Sequence, residues 1–397
     1  MSYDVIVVGA RCAGAPTAML FARAGYRVLL LDRAKPGADT LSTLYIQQPG
    51  VARLARWGLL DAVRASGCPP LERVVYRMGA DLRLEGCAGP LDGNRAAYAP
   101  RRHILDPILV EGAVAAGAEF RDRCPVEGLL MEDDRVAGVR FTDPDGRTQE
   151  ARARLVVGAD GMRSTVAELA GAATTIEHPR LTCAYYSYWN PVQADFELYE
   201  GETGWVSAVP TNDAVLVSAY FPQDRFHEVR GRAQDAYIEN IRDNAPDLFA
   251  RLAGAEQVDR LHGTGDQRNF FRQPAGPGWV LVGDAGHHKD SLTARGIGDA
   301  FWQAELLVGL VGDGLADPGR LESALKAFAE ERDRELMDVY MGTLLVARAE
   351  ARDKRRALLR AVGTSPELTQ RYFDTVAGIS PLKQLYTPEL LALLADG

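Results

Sequence analysis

The chain has 397 residues, a formal net charge of −9 and 47% hydrophobic residues, which predicts a large buried core and two or three domains. The negative charge argues against a nucleic-acid or anionic-membrane partner. No apolar run approaches the roughly 18 residues that would cross a bilayer.

Asp4 to Val8 is an apolar, β-branched run, the pattern of a buried parallel strand. The turn Gly9-Ala10-Arg11-Cys12-Ala13-Gly14 follows, then a helical pattern through Met19, Leu20, Ala22 and Ala24, ended by Gly25. Tyr26 to Leu31 reads as a second buried strand, closed by Asp32 and Arg33. A glycine-rich turn between strand and helix is the context of dinucleotide binding. Gly9 allows the tight turn, Gly14 the close helix, and the helix start offers N–H groups to a pyrophosphate. Asp32 is placed to accept from a ribose hydroxyl. Arg11 stands where the second glycine of the fingerprint belongs, which predicts a more crowded approach.

A polar loop is expected over 34–40 and a helix over 49–65 through Val51, Leu54, Trp57, Leu60 and Val63. Residues 73–86 alternate like a hairpin turning at Gly79-Ala80-Asp81, and a helix is expected from Pro107 to Ala116. The segments 126–131, 136–142 and 149–155 predict a three-stranded meander with a turn at 143–146. Residues 155–157 then lead into Gly158-Ala159-Asp160-Gly161. From about Leu181 the texture becomes antiparallel sheet, with strands in 182–190, 195–201, 204–211 and 214–221. Residues 228–253 read as a helix broken near Pro246. Trp279 to Val282 is a short buried strand closed by Gly283-Asp284-Ala285-Gly286, followed by a helix over 297–311 and further helices from Pro318.

The N-terminus enters the first strand with no signal-peptide pattern, and Cys12, Cys68, Cys87, Cys124 and Cys183 show no CxxC spacing. Reduced thiols in a cytoplasmic protein are expected. The histidines form no helix-spaced ligand motif, so no metal is expected.

The motifs GARCAG at 9–14, GADG at 158–161 and GDAG at 283–286 before LTARGIGDA stand in an order that resembles FAD-dependent monooxygenases with a para-hydroxybenzoate-hydroxylase-like fold. Flavin-dependent halogenases and geranylgeranyl-reductase-like oxidoreductases are neighbouring families. The resemblance implies an α/β fold with a Rossmann-like FAD-binding domain, parallel sheet plus meander, a second antiparallel β-sheet substrate domain and C-terminal helices. The expected boundaries are 1–72, 100–180 and 262–325 for FAD, 73–99 and 181–261 for substrate, and 326–397 for the helical segment.

By the same resemblance, the turn residues Gly9 to Gly14 (with Arg11, Cys12 and Ala13) and Asp32 with Arg33 hold the ADP half of FAD. Arg102 contacts its phosphates or ribityl chain, Asp160 belongs to the Asp-Gly pair, and Gly283-Asp284 meets a ribityl hydroxyl. Gly296 and Ile297 present N–H groups to the flavin pyrimidine. Ser291 replaces a frequent proline and Ala294 a common glycine, which predicts a differently shaped loop.

The implied reaction is hydroxylation of an aromatic or polyketide-like molecule, possible in secondary metabolism, by O2 through a flavin C4a-hydroperoxide, with NADH or NADPH as transient reductant. His287, His288 and Arg295 are the candidate catalytic side chains, and Tyr186, Tyr188, Trp205 and Tyr220 the candidate substrate contacts. Alternation puts Tyr186 and Tyr188 on one face, opposite Tyr185 and Trp189, without saying which face lines a pocket. The alternatives are a geranylgeranyl-reductase-like enzyme, whose Cys-Gly-Gly element is missing here, and a halogenase fed by a flavin reductase. The halogenase Trp-x-Trp-x-Ile-Pro segment has its nearest match at Trp205 to Pro210, with Ser207 in place of the second tryptophan. A flavin reductase partner and a homodimer contact are further expectations.

Overall fold

The structure is a computed structural model that describes residues 2–37 and 40–395. Met1, Ala38 and Asp39 of the expected loop, and Asp396 and Gly397 lie outside the described residues.

The first sheet has six strands, in the order Ala275–Gly276, Trp279–Leu281, Leu155–Gly158, Val5–Val8, Val28–Leu31, Glu119–Arg121. Its pairs are parallel except at the Ala275–Gly276 edge. The central strands are apolar at successive positions because both faces are covered. Val5, Val7, Val28 and Leu30 pack toward the helices Gly14–Arg23, Arg102–Ala115 and Gly296–Val311. Ile6, Val8, Leu29 and Leu31 pack toward the meander through Val126, Val139 and Phe141. The meander is Val126–Glu132, Arg135–Thr142 and Thr148–Arg152, antiparallel throughout.

The second sheet has eight strands and carries Thr182–Asn190 beside Val215–Pro222, then Trp205–Pro210, Phe196–Glu200, Val74–Met78 and Leu82–Gly86. It is antiparallel apart from one pair: Phe196–Glu200 runs parallel to Val74–Met78. The hairpin of residues 74–86 therefore joins strands that lie more than a hundred positions later. Tyr185, Trp189 and Phe221 cover the helix Ala233–Asn244, where the Trp189 indole donates to the Tyr237 hydroxyl at 2.9 Å. The buried Arg355–Glu200 pair ties the helix Arg352–Val362 to this sheet. In the long helix Pro318–Ala347, buried Arg332 donates to the carbonyls of Gly286 and Arg272, bracing the GDAG loop.

Several elements differ from the sequence expectation. The helix expected over 49–65 is two, Gln48–Arg56 and Leu60–Ala65, because Gly58 takes φ +75° and turns the chain between them. The helix expected to start at Pro107 starts at Arg102 and holds the proline inside it. The Arg102–Asp106 pair spans its first turn. The helix expected over 228–253 has its expected break, at Ala245, and a second, unexpected one at Arg232, so it is three helices. The second strand begins at Val28, since Tyr26 turns aside to donate to the Gly312 carbonyl at 2.6 Å. No described helix is long and apolar enough to cross a membrane.

Candidate functional site

The glycine turn is sterically closed to larger residues. Gly9 has φ +99°, and a Cβ there would meet the Ala159 carbonyl oxygen at 2.5 Å. A Cβ on Gly14 would stand 1.7 Å from the Gly9 carbonyl oxygen. The helix that follows has no acidic residue in its first turn, so its N-terminus keeps its partial positive charge. Asp32 accepts the Ala10 and Ala34 backbone N–H groups at 2.7 and 2.8 Å, fixing the turn from the next strand. Arg11 swings outward, 3.7 Å from Asp106 with its side chain 41% exposed, so the crowding expected from it falls on the rim.

Behind the turn, Arg102 grips Asp106 with Nε on Oδ1 at 2.9 Å and Nη2 on Oδ2 at 3.0 Å, both side chains buried. Cys12 Sγ lies 3.6 Å from the same carboxylate, and burial pushes its thiol up to about 12.

A cavity of about 590 Å³ runs from this turn to the second sheet. Gly9, Arg11, Cys12, Ala13, Asp32, Arg33, Arg102, Asp160, Gly283, Asp284, Gly296 and Ile297 all line it. Gly14 does not; it lies under the turn against Gly9. His287, His288 and Arg295 also line it.

Among the aromatic candidates, Tyr186 and Tyr220 line the cavity, whereas Tyr188 and Trp205 do not. The register pairs Ala184 with Tyr220 and Tyr186 with Ser218, and these four form the cavity face. Tyr188 lies farther along that face, with the Arg101 guanidinium 3.8 Å above its ring. Trp205 packs behind Tyr220 and Ala184.

The two expected aspartates differ. Asp160 accepts from Ser164 Oγ at 2.5 Å and from the Thr165 and Val166 N–H groups at 2.7 and 3.1 Å, so it holds the start of the helix Thr165–Leu169. Burial raises its pKa, against these hydrogen bonds. Asp284 is exposed to the cavity and has no hydrogen-bond partner among the described residues. Its neighbour Gly283 has φ +60°, and a Cβ there would meet Ala13 Cβ at 2.7 Å, so the first and third motifs touch. Gly283 N–H donates to Gln303 Oε1 at 3.0 Å, while the buried Gln303 Nε2 lacks a partner among the described residues. Ala294 takes φ +52°, a left-handed conformation uncommon for a residue with a side chain.

Sequence reasoning missed four residues that line the same space. Lys289 pairs with Asp299, both buried, and Arg295 Nε lies 3.8 Å from the other Asp299 oxygen. Asp290 is buried and accepts from Thr182 Oγ1 at 2.7 Å; burial raises its pKa. Gln267 accepts from Ser291 at the cavity wall. The charged pair Lys289-Asp290, set between a buried strand and a helix start, was the available signal. His287 is held neutral, its pKa well below the usual value, by burial and by Lys289 and Arg332.

A family model described as FAD binding domain matches residues 2–361. The chain is 32% identical over 351 residues to digeranylgeranylglycerophospholipid reductase 2 of Methanothermobacter thermautotrophicus, covering 84% of each chain. It is 28% identical over 311 residues to the digeranylgeranylglycerophospholipid reductase of Methanosarcina acetivorans, covering 75% of this chain and 72% of that one. Among solved structures, the flavin-dependent brominase Bmp2 superposes with TM-score 0.83 at 17% identity, covering 100% of this chain and 98% of the other. PqsL, a probable FAD-dependent monooxygenase from Pseudomonas aeruginosa, gives TM-score 0.70 at 21% identity, covering 95% and 99%. At these identities the solved structures speak to the fold.

Proposed function

The chain belongs to the FAD binding domain family and is an FAD-dependent oxidoreductase, and on that premise we propose that it is a monooxygenase. Its reductant is NADH or NADPH, its oxidant O2, and its substrate an aromatic or polyketide-like small molecule. The supporting observation is the cavity wall facing the Gly296 helix start, where Tyr186, Ser218, Tyr220, Lys289, Asp290 and Ser291 stand together. A wall of this polarity suits a substrate that carries polar groups better than a purely hydrocarbon chain.

The donor set fits FAD. A Cβ would fill the cradle at Gly9 and Gly14, the neighbouring helix start attracts anions, and the Asp284 carboxylate has no hydrogen-bond partner among the described residues. In this reading the turn N–H groups and Arg102 hold the phosphates, Asp32 a ribose hydroxyl, and Asp284 a ribityl hydroxyl. When bound, FAD supplies the two-electron chemistry. The start of the helix Gly296–Val311 lines the cavity, with Arg295 and the Lys289–Asp299 pair beside it, and its backbone N–H groups are the donors that would meet the ring system. Neutral His287 is suited to hydrogen bonding rather than to storing a proton. Residues 1–72, 100–180 and 262–325 act in this reading as the FAD half, and 73–99 with 181–261 as the substrate half.

A second reading, a prenyl-lipid reductase, is favoured by the sequence likeness to the archaeal reductases. The deciding experiment reduces FAD-loaded protein anaerobically with NADH or NADPH, then admits ¹⁸O2 with a panel of aromatic compounds and, separately, a prenylated lipid. One labelled oxygen in a product is the expected result. Unlabelled turnover that saturates a prenyl double bond would replace the monooxygenase reading with the reductase one. A product that forms only with bromide or chloride would point to halogenation.

A further inference from the structure

Tyr220 sits in the cavity wall with its hydroxyl 2.9 Å from Ser291 Oγ. Distance alone leaves open which oxygen donates; the surrounding groups decide it. The Ser291 backbone N–H can only donate, and it points at Gln267 Oε1 at 3.1 Å. That fixes the orientation of the amide, oxygen toward Ser291 and nitrogen toward Thr182 Oγ1 at 2.8 Å. Ser291 Oγ lies 2.5 Å from the same Gln267 Oε1. Two oxygens at that separation need a hydrogen between them, and an amide carbonyl has none. The one Ser291 hydroxyl proton is therefore committed to Gln267. Facing Tyr220, Ser291 can only accept.

Tyr220 must then donate its own proton to Ser291, leaving its oxygen lone pairs as the polar feature it offers to the cavity. The arrangement is held from behind: the Thr182 hydroxyl donates to buried Asp290, whose other oxygen accepts the Leu292 N–H at 3.1 Å. We infer that Tyr220 is a specificity-determining acceptor, and that the substrate presents an O–H or N–H donor to it, as a phenol, hydroxyaryl ketone or arylamine does. A hydrocarbon chain, an ether or a fully alkylated amine lacks that group. Resting on the monooxygenase reading for its substrate class, this inference narrows the class to donor-bearing molecules.

The test is equilibrium binding, which needs no turnover. Isothermal calorimetry on FAD-loaded protein compares 2-naphthol with 2-methoxynaphthalene, a pair differing at the donor. Wild type is expected to bind the naphthol about tenfold more tightly, and Tyr220→Phe to bring the two within about threefold. Ser291→Ala frees the tyrosine proton to face the cavity and is expected to improve binding of the ether relative to the naphthol. Equal wild-type affinity for the pair, or discrimination that survives in Tyr220→Phe, overturns the inference. Should neither probe bind, the tyrosine C–O stretch decides the matter, read as the infrared difference between wild type and Tyr220→Phe. A signature of a donating hydroxyl supports the inference and an acceptor-only signature overturns it. Discrimination without any ¹⁸O-labelled product would leave this inference standing while the monooxygenase reading fails.

Discussion

Lys289 rests its ammonium on the Asp299 carboxylate in the cavity wall, and both side chains are buried. Removing one member of a buried pair strands the other charge, at about 3–5 kcal/mol. The two single variants are not equivalent. After Lys289→Met, Asp299 keeps Arg295 3.8 Å away, whereas Asp299→Leu leaves two cations facing each other. Asp299→Leu is therefore expected to lower the unfolding free energy more than Lys289→Met, and the double variant to recover part of either loss. Denaturant unfolding of the three FAD-free proteins checks this; equal losses in the singles would refute the role given to Arg295.

Asp32 and Asp284 both face the cavity, yet among the described residues only Asp32 accepts hydrogen bonds from the protein, through two backbone N–H groups. Asp32→Ala is expected to cost roughly 1–3 kcal/mol of stability even without FAD. Asp284→Ala is expected to leave FAD-free stability within about 0.5 kcal/mol and to weaken FAD binding about tenfold or more. Thermal unfolding of FAD-free protein together with FAD titration separates the two. An Asp284→Ala protein that keeps wild-type FAD affinity would remove Asp284 from the cofactor site.

Ala294 holds φ +52°, a conformation that costs an L-residue on the order of 1–2 kcal/mol. Glycine adopts it freely but has more unfolded-state entropy to lose, roughly 0.5–1 kcal/mol. Ala294→Gly is expected to stabilise the protein by up to about 1 kcal/mol, and Ala294→Val to destabilise it. A Gly variant less stable than wild type would show that the loop relaxes its own strain.

His287 is neutral in the fold, its pKa well below the usual value through burial and its cationic neighbours Lys289 and Arg332. An unfolded histidine takes up a proton near pH 6.5. Below that pH the unfolded chain binds the extra proton, so the contribution is full above about pH 6.5 and falls away as the medium is acidified. Per pH unit the loss approaches about 1.4 kcal/mol. His287→Phe is expected to flatten the stability profile between about pH 6.5 and 5. An unchanged slope would mean that His287 is charged or solvated in the folded protein.

Local signals made much of this legible. The glycine turn, both buried strands and the alternation in 182–190 are written within a few residues of chain, where sterics and periodicity act. Alternation separated Tyr186 from Tyr185 but carried no information on which face meets the cavity; the register with Tyr220 and Ser218 supplies that. Asp160 and Asp284 each lie in a glycine-bearing turn after a buried strand, and the helix start at Thr165 distinguishes their roles. Gln267 reaches Ser291 across 24 positions, and Lys289 is silenced as a free charge by Asp299. Such long-range partners leave no periodic trace.

The parallel pairing of Val74–Met78 with Phe196–Glu200, and of Leu155–Gly158 with Trp279–Leu281, bears on how the chain is made. As it leaves the ribosome, its first hairpin waits through more than a hundred further residues for its neighbour. The nucleotide-binding sheet likewise keeps one edge open until residue 281 has emerged. Neither half can finish before the other has begun, so splitting the gene between them should yield fragments that aggregate alone and recover only when co-expressed.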